Sequence, residues 1–317
     1  MKIVTLTLNP ALDKSTSIDR LQAQKKLRCE EPVYHPGGGG VNVSRAIKIL
    51  GGDSLAIYAG GGPVGDKIEE LLKKEGVNQQ RISIKKNTRE NLMVVESSTG
   101  NQYRFGMPGA EIGQESLQNC LDAIKNLPDD VKYLVASGSL PPDAPDDFYG
   151  TIAEIARSKN IKCLVDTSGK ALVKASKMGV CIMKPNLGEL SSLAGKEEIS
   201  GMEQEEIAKK IINEGKADIL IVSLGARGAM IVTKDTIEYI VPPTVKQDST
   251  VGAGDSMVGG LILSLSRGDA LQDAVKWGVA AGTAATITPG TELCRKKDVE
   301  KIFNWLSEKE TTNADTK

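Results

Sequence analysis

From about residue 115 the chain repeats a pattern that leaves few folds open: short apolar runs at 131–136, 161–165, 180–183 and 219–222, each adjoining a helical stretch. Strands separated by helices pair in parallel, because each crossover returns the chain to the same end of the sheet, and the helices cover its faces. Three further helices are expected at 255–267, 271–286 and 297–307, followed by a polar, frayed tail. Upstream, 2–8 reads as a strand, 41–50 as a helix stopped by Gly51-Gly52, 54–58 as a short apolar strand, and 65–75 as an amphipathic helix closing at Gly76. The segments 81–86, 91–96 and 102–105 alternate polar and apolar residues, the last two about a Ser98-Thr-Gly100 turn, which suits a thin sheet with one wet face. The expectation is one α/β domain over residues 1–308, with an accessory sheet from roughly 14–35 and 88–106 and a polar tail at 309–317.

A chain of 317 residues buries a large core without disulfides. Its 40 Lys and Arg against 41 Asp and Glu leave a net charge of −1, so electrostatics argue neither for nucleic acid nor for an anionic membrane. Cysteines at 29, 120, 163, 181 and 294 include no Cys-x-x-Cys pair and read as reduced thiols of a cytoplasmic protein. The first residues alternate like a strand rather than a leader, and apolar stretches such as 261–265 are too short to span a bilayer. There is a single histidine, His35, which removes most histidine-based acid–base schemes and points to a carboxylate for any general base. His35 itself either lines a site or serves the structure, and the absence of a partner pattern favours the second.

In a parallel sheet, ligands collect at the carboxyl ends of the strands, so glycine-rich turns there carry functional information. The most informative is Val251-Gly-Ala-Gly-Asp255-Ser-Met-Val-Gly259, leading into an apolar helix. Gly252, Ala253 and Gly254 can bring backbone N–H groups against an anion at a helix N-terminus, with Asp255 at the same corner. Phosphoryl transfer needs that pair: donors for the transferring group and a carboxylate for the acceptor hydroxyl's proton. Alone, the motif equally describes a helix-capping aspartate after a flexible loop.

The motif has companions in Pro36-Gly-Gly-Gly-Gly40-Val-Asn42-Val-Ser-Arg45-Ala, Met183-Lys184-Pro-Asn186-Leu-Gly-Glu189 and Ser223-Leu-Gly225-Ala-Arg-Gly228. In this order, and over residues 3 to about 306, the set resembles the signatures, the Asn-x-x-Glu element and the nucleotide loop of the ribokinase-like, PfkB-type carbohydrate kinases. Thr5-Leu-Thr-Leu-Asn-Pro-Ala-Leu-Asp13, Thr88-Arg89-Glu-Asn91, Tyr103-Arg104-Phe and Ser137-Gly-Ser139-Leu-Pro-Pro142 resemble its branch acting on phosphorylated ketohexoses. Four consecutive glycines where Gly-Gly-Lys-Gly is usual, with Lys26-Leu-Arg28-Cys and Val241-Pro-Pro243, resemble the bacterial minor 6-phosphofructokinase type.

The resemblance implies a ribokinase-like three-layer α/β sandwich with a mainly parallel central sheet and a small β-sheet lid, paired lid to lid in a homodimer. It implies ATP and Mg2+, and fructose 6-phosphate as the substrate phosphorylated on its 1-hydroxyl. Tagatose 6-phosphate and fructose 1-phosphate are the alternatives within the family; a non-catalytic sugar-phosphate or nucleotide sensor is the alternative outside it, and the retained Asp255 speaks against it. A nicotinamide dehydrogenase fails because Asn42 and Val43 stand where Gly-x-Gly-x-x-Gly would close.

Carried over by position, the resemblance makes Asp255 the base, with Gly252, Ala253 and Gly254 around the transferred phosphoryl group. Asp13 would accept from sugar hydroxyls, and Gly38, Gly39 and Asn42 would admit the sugar, which larger side chains at 38 and 39 would obstruct. Arg28, Arg89, Arg104 and Ser139 would hold the substrate phosphate, since guanidinium forks bind phosphate at two points. Lys26, Lys184, Asn186, Ser223, Gly225, Arg227, Gly228 and Thr283 fall to the nucleotide, and Glu189 to Mg2+ through water. The Asn186–Glu189 spacing also fits a plain helix cap. The family often holds a monovalent cation, K+, on main-chain oxygens; the matching positions are Ser249, Val251, Ala285, Thr288 and Gly290, and Glu292 departs from the basic residue expected beside them. Gln22 likewise offers no aromatic surface beside Lys26, a departure at the second nucleotide site that inhibits the minor phosphofructokinase type.

Overall fold

A computed structural model describes residues 1–314. Its strands in chain order are β1 (Ile3–Thr7), β2 (Ala11–Ile18), β3 (Val33–Gly37), β4 (Leu55–Gly60), β5 (Asn78–Ser83), β6 (Arg89–Glu96), β7 (Gln102–Phe105), β8 (Tyr133–Ser137), β9 (Lys162–Asp166), β10 (Val180–Met183), β11 (Ala217–Ser223), β12 (Ala229–Val232) and β13 (Ile237–Ile240). The helices are α1 (Gly39–Ile49), α2 (Gly62–Lys74), α3 (Gln114–Lys125), α4 (Phe148–Ser158), α5 (Gly169–Met178), α6 (Leu187–Leu193), α7 (Glu203–Asn213), α8 (Ala253–Arg267), α9 (Leu271–Thr286) and α10 (Lys296–Ala314).

Nine strands form the main sheet in the order β13-β12-β11-β10-β9-β8-β1-β4-β5. It is parallel from β5 to β11 and ends in the antiparallel pairs β11–β12 and β12–β13. Successive strand side chains point to opposite faces. Val4, Leu6, Leu134 and Ala136 therefore join the core under α3–α7, while Ile3, Tyr133 and Val135 join the core under α1 and α8–α10. Small residues bring those helices together: a Cβ on Gly259 would stand 2.8 Å from that of Ala46, and one on Gly260 2.8 Å from the carbonyl of Trp277.

The strand order reverses beside β1: the chain goes outward through β4 and β5, then returns to β8 on the other side. Such a switch point opens a crevice at the carboxyl ends of the strands. Here the glycine run wedges into it. Gly38 takes φ +107°, open to glycine but strained for other residues. A Cβ on Gly39 would collide with Ser137 Oγ and stand 2.6 Å from the amide nitrogen of Gly138; one on Gly40 would meet the Leu6 carbonyl at 2.8 Å. Gly39→Ala is therefore expected to destabilise the fold by about 2–3 kcal/mol, read from the urea midpoint. Gly201→Ala, in open space, should change it by less than about 0.5 kcal/mol.

The second sheet, in the order β3-β2-β6-β7, is the lid. Its first two strands run from Ala11 to Gly37, so Asp13 and the first glycine of the run belong to it, and 19–32 between them is an irregular excursion rather than strand. Helix α2 starts three residues before the expected 65, with Pro63 in its first turn, where a missing N–H costs nothing. Strand β5 lies at 78–83 instead of 81–86, and the edge hairpin β12–β13 was not expected. Helix α10 runs on to Ala314, past the expected end at 307; positions 315–317 of the expected tail lie outside the described residues. Among the described residues no helix is long and apolar enough to cross a membrane.

Candidate active site

At the mouth of the crevice, Gly252 adopts φ +70° and turns the chain into α8. Gly254 and Asp255 occupy the first turn of that helix, where backbone N–H groups have no intrahelical acceptor. Across the crevice, Asn42 on α1 donates its side-chain amide to Oδ2 of Asp255 at 2.9 Å. Burial, and then the charge of Asp166, push the Asp255 carboxyl up to about 7, against the lowering effects of the Asn42 bond and Lys184. A carboxyl titrating there is matched to proton transfer near neutrality.

Lys184 lies just beyond β10 and pairs with Asp166, the last residue of β9, at 3.1 Å, the two side chains 5% and 14% exposed. Lys184 Nζ faces the glycine turn, 3.7 Å from where a Cβ on Gly254 would stand. Sequence reading passed over Asp166, which looks like the end of an apolar strand; its one signal was a carboxylate at the carboxyl end of a parallel strand.

On the lid side, Asp13 pairs in register with Asn91 and His35 of the neighbouring strands. Asn91 donates to Oδ1 of Asp13 at 2.8 Å, while its own oxygen accepts from the Met107 backbone N–H at 3.1 Å. Asn91, so far only part of a motif, is thus a member of the site. Burial raises the Asp13 carboxyl above the usual range. His35 shares a 2.8 Å hydrogen bond with Thr291, and burial holds its pKa down, which agrees with a structural role joining the lid to the 288–294 segment. A cavity of about 180 Å3 between lid and glycine turn is lined by Asp13, Asn91, Arg104, Val251 and Thr291 among others.

The arginines divide. Arg104 reaches across to donate to Thr250 Oγ1 at 3.2 Å, directly before the glycine turn. The Arg89 guanidinium donates to the carbonyls of Asn9, Pro10 and Met107 at 3.2, 3.4 and 3.0 Å, bracing the hinge of the lid. Ser139 accepts from Asn9 at 3.0 Å. Lys26 and Arg28 stand exposed on the 19–32 excursion, and neither is hydrogen-bonded to a group of the crevice. At Gly38 and Gly39 the protein itself also requires glycine: a Cβ would be crowded by Pro10 and Thr7 at the first and by Ser137 and Gly138 at the second.

On the other side of the turn, Asn186 and Glu189 form a reciprocal cap on α6, Glu189 N–H donating to Asn186 at 2.9 Å and Asn186 N–H to Glu189 Oε2 at 2.8 Å. The cap leaves Oε1 of Glu189 for other work, with Asp166 near enough to raise the Glu189 pKa, after burial. Magnesium commonly takes one or two carboxylates together with nucleotide phosphates and water, a donor set that these two residues fit; among the described residues no group of three His, Cys, Asp or Glu could hold a metal. Ser223 bridges to Asn186 at the end of β11, Gly225 and the exposed Arg227 form a single 3-10 turn, and Gly228 closes it against the Ile240 carbonyl. Thr283 on α9 follows Gly282, where a Cβ would stand 3.1 Å from the Ala253 carbonyl oxygen. The cation positions converge as well: Ser249 Oγ donates to the Gly290 carbonyl at 2.8 Å, and Thr288 Oγ1 to that of Ala285 at 2.8 Å, beside Val251. These are uncharged oxygens, suited to a hard monovalent ion, and Glu292 turns away to pair with Arg295 at 2.8 Å.

The family model described as pfkB family carbohydrate kinase matches residues 6–298. The chain belongs to the PfkB carbohydrate kinases. Within that family it is 42% identical to the ATP-dependent 6-phosphofructokinase isozyme 2 of Escherichia coli K12 over 97% of this chain and 99% of that one. It is 32% identical to the 1-phosphofructokinase of Bacillus subtilis, over 92% and 95%. The crystal structure of Escherichia coli phosphofructokinase-2 in complex with substrates and products superposes with a TM-score of 0.92 at 42% identity, covering 97% of this chain and 100% of that one. The same enzyme is described in complex with potassium, with a TM-score of 0.92 at 42% identity over 96% and 99%. Its tetrameric inhibited form matches with 0.91 at 41% over the same shares. The lid and central sheet of this PfkB kinase are thus those of the ribokinase-like fold.

Proposed function

We propose that this PfkB kinase transfers the γ-phosphoryl group of ATP to the 1-hydroxyl of fructose 6-phosphate. The observation that carries the reading is the Asn42–Asp255 hydrogen bond, which holds a carboxyl of near-neutral pKa between the glycine run and the turn of α8. Asp255 takes the hydroxyl proton, and the first-turn amides of α8 face the transferring group. Asp13, fixed by Asn91, accepts from the sugar; Arg104, Arg89 and Ser139 flank the sugar-phosphate end. Lys184 would lie against the phosphates, Glu189 and Asp166 would hold Mg2+, which when bound would neutralise phosphate charge, and the 223–228 turn with Thr283 would receive the nucleotide. The carbonyl cluster at 249–251 and 285–290 takes K+. Val33, Tyr103 and Phe105 stand exposed on the lid, which supports a homodimer in which lid covers lid.

ADP release measured with fructose 6-phosphate, tagatose 6-phosphate and fructose 1-phosphate tests the reading. Fructose 6-phosphate is expected to give the highest kcat/KM, by at least about tenfold. A higher value with fructose 1-phosphate would move the chain to its other branch, and no turnover with any of the three would sink the kinase assignment.

A further inference from the structure

The polarity of the Asn42 side chain is itself determined. An amide presents a donor at one end and an acceptor at the other, and the two ends have nearly the same shape. Only the orientation with NH2 toward Asp255 supports the carboxylate; the reverse would set oxygen against oxygen. Arg45, one turn along α1 and 5% exposed, resolves the choice. Its Nη1 donates to Asn42 Oδ1 at 3.2 Å and to the Pro36 carbonyl at 2.8 Å, the latter at the end of the lid strand β3. The rest of its fork is held by Glu75, just past the end of α2, with Nε–Oε2 at 2.6 Å and Nη2–Oε1 at 2.8 Å. Two-point pairing of this kind fixes the plane of the guanidinium.

We infer that Arg45, clamped by Glu75, is a positioning residue for phosphoryl transfer: it orients the Asn42 amide so that one oxygen of Asp255 is held and the other is left for the acceptor hydroxyl. A guanidinium at the amide oxygen excludes the flipped rotamer, since that would press NH2 against a cation. The pairing could instead staple α1 to α2 without touching the reaction, and the two roles separate in kinetics. The inference rests on the kinase reading above; turnover of the parent enzyme in the same assay reports a failure of that reading separately.

The test is a double-mutant cycle on kcat, with saturating ATP and fructose 6-phosphate. Arg45→Lys keeps the charge but not the fork. It is expected to lower kcat about tenfold in the parent enzyme, with KM for ATP changing less than about twofold, and to lower kcat less than about twofold when Asn42 is already Ala. Glu75→Gln keeps one acceptor and should give a smaller fall, about threefold, that also vanishes in the Asn42→Ala background; it replaces Arg45→Lys in the cycle if that variant does not fold. Equal falls in both backgrounds would show that Arg45 does not act through Asn42. A lowered melting temperature with kcat retained would leave a staple and overturn the inference.

Discussion

Asp255→Asn is expected to lower kcat by about 10³-fold, the range of a lost general base, while KM for ATP changes little. Asn keeps the size of the side chain and an oxygen for the Asn42 amide, so the loss isolates proton removal. In the parent enzyme Asp255 is pushed up to about 7 by burial and by Asp166, so kcat/KM should rise with pH through about 7 and level off above it; the variant's residual rate should lack that limb. The sign for stability is opposite to that for activity. A carboxyl with a raised folded-state pKa favours the protonated fold, so the native state loses stability as pH rises from the ordinary aspartate range to about 7. Removing the charge should therefore raise the melting temperature above neutrality while turnover falls. A variant with near-parental kcat would remove Asp255 from the chemistry; one that is inactive and less stable would mean that the fold, not the proton, had been lost.

The second large effect is expected at Lys184. Its ion pair with Asp166 is nearly dry, and removing one partner of such a pair leaves an uncompensated charge that costs about 3–5 kcal/mol. Lys184→Met should accordingly lower the melting temperature by roughly 10 °C, in contrast to the exposed Lys74→Met, whose pair with Glu70 is at the surface and screened by solvent. Because Lys184 also lowers the Asp255 pKa, the acid limb of kcat/KM should move to higher pH in the same variant. Calorimetry and a pH profile check the two halves. An unchanged melting temperature would mean that Asp166 protonates or rehydrates at no cost, and an unmoved limb would detach Lys184 from the base.

How much of this was legible beforehand follows from the range of each interaction. The repeated strand–helix rhythm after residue 115, the helices at 255–267 and 271–286, and the glycine turn ahead of Asp255 are local patterns, and each stands where expected. Boundaries that depend on partners were missed. The edge hairpin β12–β13 rests on pairing with β11, and β5 is placed by its register with β4 rather than by its own alternation.

The sequence by itself pointed to a carboxylate for the acid–base work, since a single histidine removes most histidine-based schemes, and it placed the candidate after a turn of small residues at a helix start. Asp166 and Asn91 escaped because their chemistry comes from neighbours: Lys184 is eighteen positions from Asp166 and Asp13 seventy-eight from Asn91. Only the tertiary structure brought Asn42 to within 2.9 Å of Asp255, set Arg45 behind it, and buried the carboxyl enough to push it up to about 7. Burial and proximity are properties of the packed chain, and no local pattern records them.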